Sequence, residues 1–132
     1  MDLLVKMYGQ IITTVEIATE FGEALPVWVE IVSVRDKLRQ QLLEMQIDRG
    51  ESSAIALALE MSDCTIILDD FKARKVANQL GLTITGTLGV IVRAKLSGKI
   101  DSIKPILEKI KATDFRISSE IENAILKEAQ EI

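Results

Sequence analysis

A chain of 132 residues suits one domain, and with 48% apolar residues it can form a real core. The net charge of −4 speaks against a basic nucleic-acid-binding module, though not against an enzyme that works on nucleic acid through metal-binding carboxylates. The lack of histidine removes Ser-His-Asp triads, histidine acid–base catalysis and most zinc sites, and the lone Cys64 removes any disulfide framework.

The elements follow in chain order. MDLLVKMYG reads as a short amphipathic helix closed by Gly9. The opening segment is too short and too mixed for a signal peptide, and no apolar run reaches the roughly 18 residues of a membrane span. The expected setting is therefore the reducing cytoplasm, away from membranes. QIITTV is rich in β-branched residues and reads as a buried strand. A helix follows to Gly22 or just beyond. After the break at Pro26, VWVEIV forms an imperfectly alternating run, either an edge strand or irregular. In VRDKLRQQLLEMQ the spacing predicts a helix whose apolar stripe is Val34, Leu38, Leu42 and Met45, with Arg35, Arg39 and Gln40 opposite.

DRGESS reads as a turn, with a buried, alanine-rich helix starting near Glu51. CTIIL has strand length. FKARKVANQLG predicts a helix with Val76, Ala77 and Leu80 inward and Gly81 as its stop. LTIT is a further strand, GTLG a turn, and VIVRAKLSG a helix. Another helix carries Pro105 in its first turn. Ser119 and Glu122 form a capping-box pattern before the last helix, whose stripe is Ile121, Ile125 and Ile132. Strands alternating with helices argue for an α/β fold with a mainly parallel sheet, in a single domain spanning 1–132.

In open α/β sheets, ligands gather at the carboxyl ends of strands. Asp69 and Asp70 stand at such an end, Glu51 at the start of the preceding helix, and Glu20 about two turns after the first strand. Acids that converge there must be protonated, paired with cations, or holding a metal. Mg²⁺ or Mn²⁺ prefers such oxygen ligands and supports phosphodiester hydrolysis. Each acid also has a plain reading. Asp-Asp after a strand is a good turn and helix cap, Glu51 is a first-turn helix acid, and Glu20 is a solvated helix residue. Lys72, Arg74 and Lys75 can meet phosphates, but a solvated basic face is the commoner meaning of such a run. The turn TGTLG can cradle a phosphate on its free amides or simply be a turn.

Read together, GESSAIALALE, then IILDDFKARKVANQLGLTITGTLGVIVRAKLSGKI, then FRIS resemble the PIN-like family DUF3368, which includes VapC-type toxins of toxin–antitoxin pairs. MYGQIITTVEIATEF matches the family as well. The resemblance implies a PIN-like three-layer α/β/α fold and a Mg²⁺- or Mn²⁺-dependent endoribonuclease that cuts RNA and is neutralised by a small antitoxin protein. By the same resemblance Glu20, Glu51 and Asp70, with Asp69 beside it, are the metal-binding and catalytic acids.

One departure matters. Family members begin with a strand ending in a motif like DTSPLI, in the middle of the sheet, whose aspartate is usually a ligand. Asp2 is not its equivalent. The expectation is an N-terminally truncated domain with unpaired backbone on the neighbouring strands, a carboxylate cluster short of one ligand, and weak or absent activity. The alternative function is a catalytically inactive PIN-like protein that acts as a homodimer or by binding a partner. A third reading, an α/β domain whose acids are only caps and turns, is at odds with the resemblance.

Overall fold

The computed structural model describes residues 3–132. They group into two compact units, one of residues 8–86 and one of residues 3–7 with 87–132. The expectation for Asp2 lies outside the described residues.

The first unit is built from two parallel crossovers. Strand β1 (Ile11–Thr14) is followed by helix α2 (Val15–Phe21) and then β2 (Val29–Val32), which pairs with β1 in parallel register from Ile11 opposite Val29 to Thr14 opposite Val32. Strand β3 (Thr65–Ile67) is followed by α5 (Phe71–Gln79) and β4 (Thr83–Thr85), again parallel, with Ile66 opposite Ile84. Among the described residues these form separate two-stranded sheets, β1 with β2 and β3 with β4. Between them in sequence come α3 (Lys37–Leu43) and α4 (Arg49–Glu60). Helix α4 packs on both β1 and β3, and also on α2, α3 and α5. The composition of α4 suits that place. Ile55 and Ala56 have no exposed surface, and Leu57, Ala58, Ser52 and Ser53 are buried beside them. Around α4 the core gathers Val34, Leu43, Ile47, Ile66, Leu68, Ala73, Val76 and Ala77.

The second unit holds α6 (Thr87–Leu96), α7 (Lys104–Lys111) and α8 (Ser119–Glu128), together with most of α1 (Leu3–Tyr8). Its core is Ile91, Val92, Ile103, Leu107, Ile125 and Ala129. The Glu131 carboxylate ties it together by accepting from the Ile103 amide at 2.7 Å and the Ser102 hydroxyl at 2.6 Å, with Lys95 at 3.4 Å.

Local signals account for most boundaries. Gly9, Gly22 and Gly81 adopt the left-handed backbone that ends α1, α2 and α5. The mixed α/β architecture and the parallel pairing agree with the sequence, and β2 is an edge strand. Several details differ. Helix α3 starts at Lys37 with Asp36 as its cap, and it buries Gln40 and Leu43, while Leu38, Leu42 and Met45 are exposed. The reason is polar: Gln40 turns inward and donates to the buried Glu16 carboxylate at 2.6 Å. Helix α4 begins two residues before Glu51, because Asp48 caps it. Thr87 and Gly89 already lie inside α6, so the expected TGTLG turn shrinks to Gly86. Leu80, Ile121 and Ile132 are exposed, and α8 is capped by Ser118 one residue earlier than the pattern indicated.

A buried relay joins the two halves of the first unit that matter most. Ser53 donates its hydroxyl proton to the Gly50 carbonyl at 2.6 Å, which leaves Thr14 as the donor in the 2.7 Å Thr14–Ser53 contact. Thr14 in turn accepts from the Ile17 amide at 3.1 Å and so caps α2. Replacing Ser53 by Ala strands the buried Thr14 hydroxyl. We expect Ser53→Ala to lower unfolding free energy by about 2 kcal/mol in urea titrations, the cost of an unpaired buried polar group.

Candidate metal-binding edge

The relay sets α2 against the first turn of α4, and this brings Glu20 to Gly50. Glu20 lies in the last turn of α2, with its exposed end beside the helix start. A Cβ on Gly50 would stand 2.7 Å from Glu20 Oε2 and 3.1 Å from Oε1. The missing side chain at Gly50 is therefore what allows the carboxylate to approach the α4 N-terminus, where unpaired amides and the helix dipole favour negative charge.

Glu51 follows directly. Its pKa is pushed up to about 7, first by burial, then by the negative charges of Asp48 and Asp70, by a hydrogen bond shared with the Asp48 side chain, and by Glu20. Acids from three segments thus act on Glu51: Glu20 from α2, Asp48 from the start of α4, and Asp70 from the end of β3. Two of them also have structural duties. Asp48 Oδ1 accepts from the Glu51 amide at 2.9 Å, and Asp70 Oδ2 accepts from the Ala73 amide at 2.9 Å, which caps α5. The cap reading and the cluster reading of Asp70 hold together, since one carboxylate oxygen serves the helix and the other is left for the edge.

Of the residues singled out in the sequence, Asp70 and Glu20 lie near enough to Glu51 for their charges to raise its pKa. Asp69 points elsewhere. A Cβ on Gly86 would lie 3.0 Å from Asp69 Oδ1 and 2.8 Å from Arg74 Nη1, so Asp69 and Arg74 crowd the strand-to-helix junction. Arg74 donates to the Leu68 carbonyl at 2.8 Å, which gives it a structural role at the end of β3. Lys72 and Lys75 are exposed on α5. Asp48 escaped the sequence reading, which took DRGESS as a turn. The signal was an aspartate three residues before a glutamate at a helix start.

A hard divalent cation fits the donor chemistry of this edge, since every donor is a carboxylate oxygen and the mutual repulsion calls for positive charge. As the side chains stand, no three acids among the described residues converge closely enough to hold one ion.

The raised Glu51 pKa has a consequence for stability. A carboxyl that titrates near 4.5 when unfolded and about 7 when folded binds more protons in the native state between those values. Stability without divalent ions therefore falls as pH rises through that window. Glu51→Gln is expected to remove this slope and to raise stability near pH 8 by on the order of 1 kcal/mol, after allowance for solvent screening at a partly exposed site. Urea titrations across pH, with chelator present, measure both effects.

Comparison with known proteins gives one match. The DUF3368 family, described as a PIN domain, matches residues 1–131. No curated protein and no solved structure matches the chain. No helix among the described residues is long and apolar enough to cross a membrane.

Proposed function

Because the chain belongs to the DUF3368 family of PIN domains, we propose that it is a metal-dependent PIN-type endoribonuclease, the toxin of a toxin–antitoxin pair, working at the acidic edge of its first unit. The observation that carries this reading is that Asp48, Asp70 and Glu20 all bear on the Glu51 carboxyl at the α4 N-terminus, with Glu20 drawn up against Gly50. A structural cap needs one acid, and a fourfold crowd of acids costs stability unless a cation offsets it.

In this reading Glu20, Glu51 and Asp70 hold Mg²⁺ or Mn²⁺. When bound, the ion supplies an acidified water and screens the charge that grows on the phosphodiester. The residues of the chain do the rest. Asp70 keeps one oxygen on the Ala73 amide, so its other oxygen is held at a set position. Glu51, with its pKa near neutrality, can take a proton at working pH. Lys72 and Lys75 offer exposed cations for the phosphates that flank the cut.

A second reading has its own support: the protein is a non-catalytic PIN domain that acts as a homodimer or by binding a partner. Among the described residues no three acids close on one point.

The test is RNA cleavage with Mn²⁺ or Mg²⁺. Activity that chelator abolishes, and that Glu51→Gln and Asp70→Asn each lower about 100-fold or more, supports the nuclease. Asparagine keeps the α5 cap, so the second variant should fold normally. Gly50→Ala should also weaken the ion's thermal stabilisation of the protein by pushing Glu20 away, while leaving the helix intact. No cleavage, and no change in melting temperature on adding either ion, favours the second reading.

A further inference from the structure

Asp70 is held by more than its cap. Its carboxylate accepts from the Ala73 amide at 2.9 Å, and its carbonyl accepts from the Arg74 amide at 2.9 Å, so the first turn of α5 grips it twice. The chain just before it matters as much, because it must bend between β3 and α5. Leu68 is fixed through both its amide and its carbonyl. The amide donates to the Thr85 carbonyl at 2.8 Å, one step past the end of β3. In a continuing parallel ladder the Leu68 carbonyl would next face the amide two residues further along the neighbouring strand, that of Thr87. But β4 ends at Thr85, and Thr87 is already the first residue of α6. Arg74 reaches back and donates to the Leu68 carbonyl at 2.8 Å. It thus brackets the bend, holding the Leu68 carbonyl with its guanidinium and the Asp70 carbonyl with its amide. Gly86 makes room for this. A Cβ there would stand 2.8 Å from Arg74 Nη1, 3.0 Å from Asp69 Oδ1 and 3.7 Å from the Leu68 carbonyl oxygen. The Gly86 backbone is not left-handed, so space and not conformation asks for glycine at this position.

We infer that Arg74 is a positioning residue for the acidic edge: seated over Gly86, it sets the bend that points Asp70 toward Glu51. This rests on the reading of Asp70 as a metal ligand. It separates Arg74 from Lys72 and Lys75, which are exposed on the same helix and open to phosphates, whereas Arg74 is half-buried and turned to the backbone. Groups that orient a ligand from behind matter to metal affinity nearly as much as the ligand itself. The sign of the effect is informative. A cation near a metal site repels the metal, so if Arg74 acted by charge alone its removal would tighten metal binding. If it acts by placing Asp70, its removal weakens metal binding.

The test uses the whole protein and three variants: Arg74→Met, which keeps the aliphatic stem, Gly86→Ala, which keeps the guanidinium but displaces it, and the two together. Gly86→Ala serves alone if Arg74→Met does not fold. Each single variant is expected to bind Mn²⁺ about tenfold more weakly, with unchanged circular dichroism. Both act on one contact, so the double variant should be no worse than the weaker single one. In RNA cleavage kcat should fall by a similar factor while KM for RNA holds. Exchange of the Ala73 amide, which reads the placement of the Asp70 carboxylate directly, should speed up about threefold or more in both single variants. Unchanged or tighter Mn²⁺ binding in the variants of a wild type that binds it would overturn the proposal. So would a raised KM with kcat intact, which makes Arg74 a phosphate contact, or losses that add in the double variant. A wild type that neither binds Mn²⁺ nor cleaves RNA sinks the nuclease reading instead. The Ala73 amide then decides on Arg74, and unchanged exchange there overturns its positioning role.

Discussion

The first unit depends on one buried contact, the hydroxyl pair of Thr14 and Ser53. Thr14 ends β1 and caps α2, while Ser53 sits in the second turn of α4 and donates a hydrogen bond to the Gly50 carbonyl. In a low-dielectric interior such a relay is costly to break and has one good arrangement, so it fixes the position of α2 against α4 more sharply than aliphatic packing does. The approach of Glu20 to Gly50 is a consequence of that register. The acidic edge is in this sense assembled by two uncharged residues in the core.

A second polar contact shapes the outer layer. Burial pushes the Glu16 carboxyl up, but the Gln40 amide, its own backbone amide, Lys37 and Arg49 together hold it below the usual carboxylate range. Gln40 therefore points inward and α3 turns with it, which leaves Leu38, Leu42 and Met45 facing outward. The hydrophobic periodicity of that helix was real, yet it lost to one buried charge that needed a donor. Glu60 acts similarly at the other end of α4, accepting from the Arg35 and Asp36 amides and so setting where α3 starts.

One helix serves both strand pairs, since α4 packs on β1 and on β3. The same helix lines a cavity of about 550 Å³ with Ala54, Leu57 and Ala58, and its first turn carries Glu51.

The sequence by itself determined the local features. β-branched runs, glycine stops and Asp or Ser caps act within a few residues of where they are written, and so the strands, most helix ends and the α/β class were legible. Glu20, Glu51 and Asp70 were legible as candidates because carboxylates near strand and helix ends are local patterns too. Which of them meet was decided only by the tertiary structure. Asp69 and Asp70 are neighbours in sequence, yet one turns to Arg74 and Gly86 while the other faces Glu51. Asp48 joins the edge from a segment that looked like a plain turn. Gln40, a polar residue on the face opposite the apolar stripe, is buried because its partner lies 24 residues away. Long-range electrostatics and hydrogen bonding set these choices, since a carboxylate responds to every charge and donor that folding brings near it, whatever their distance along the chain.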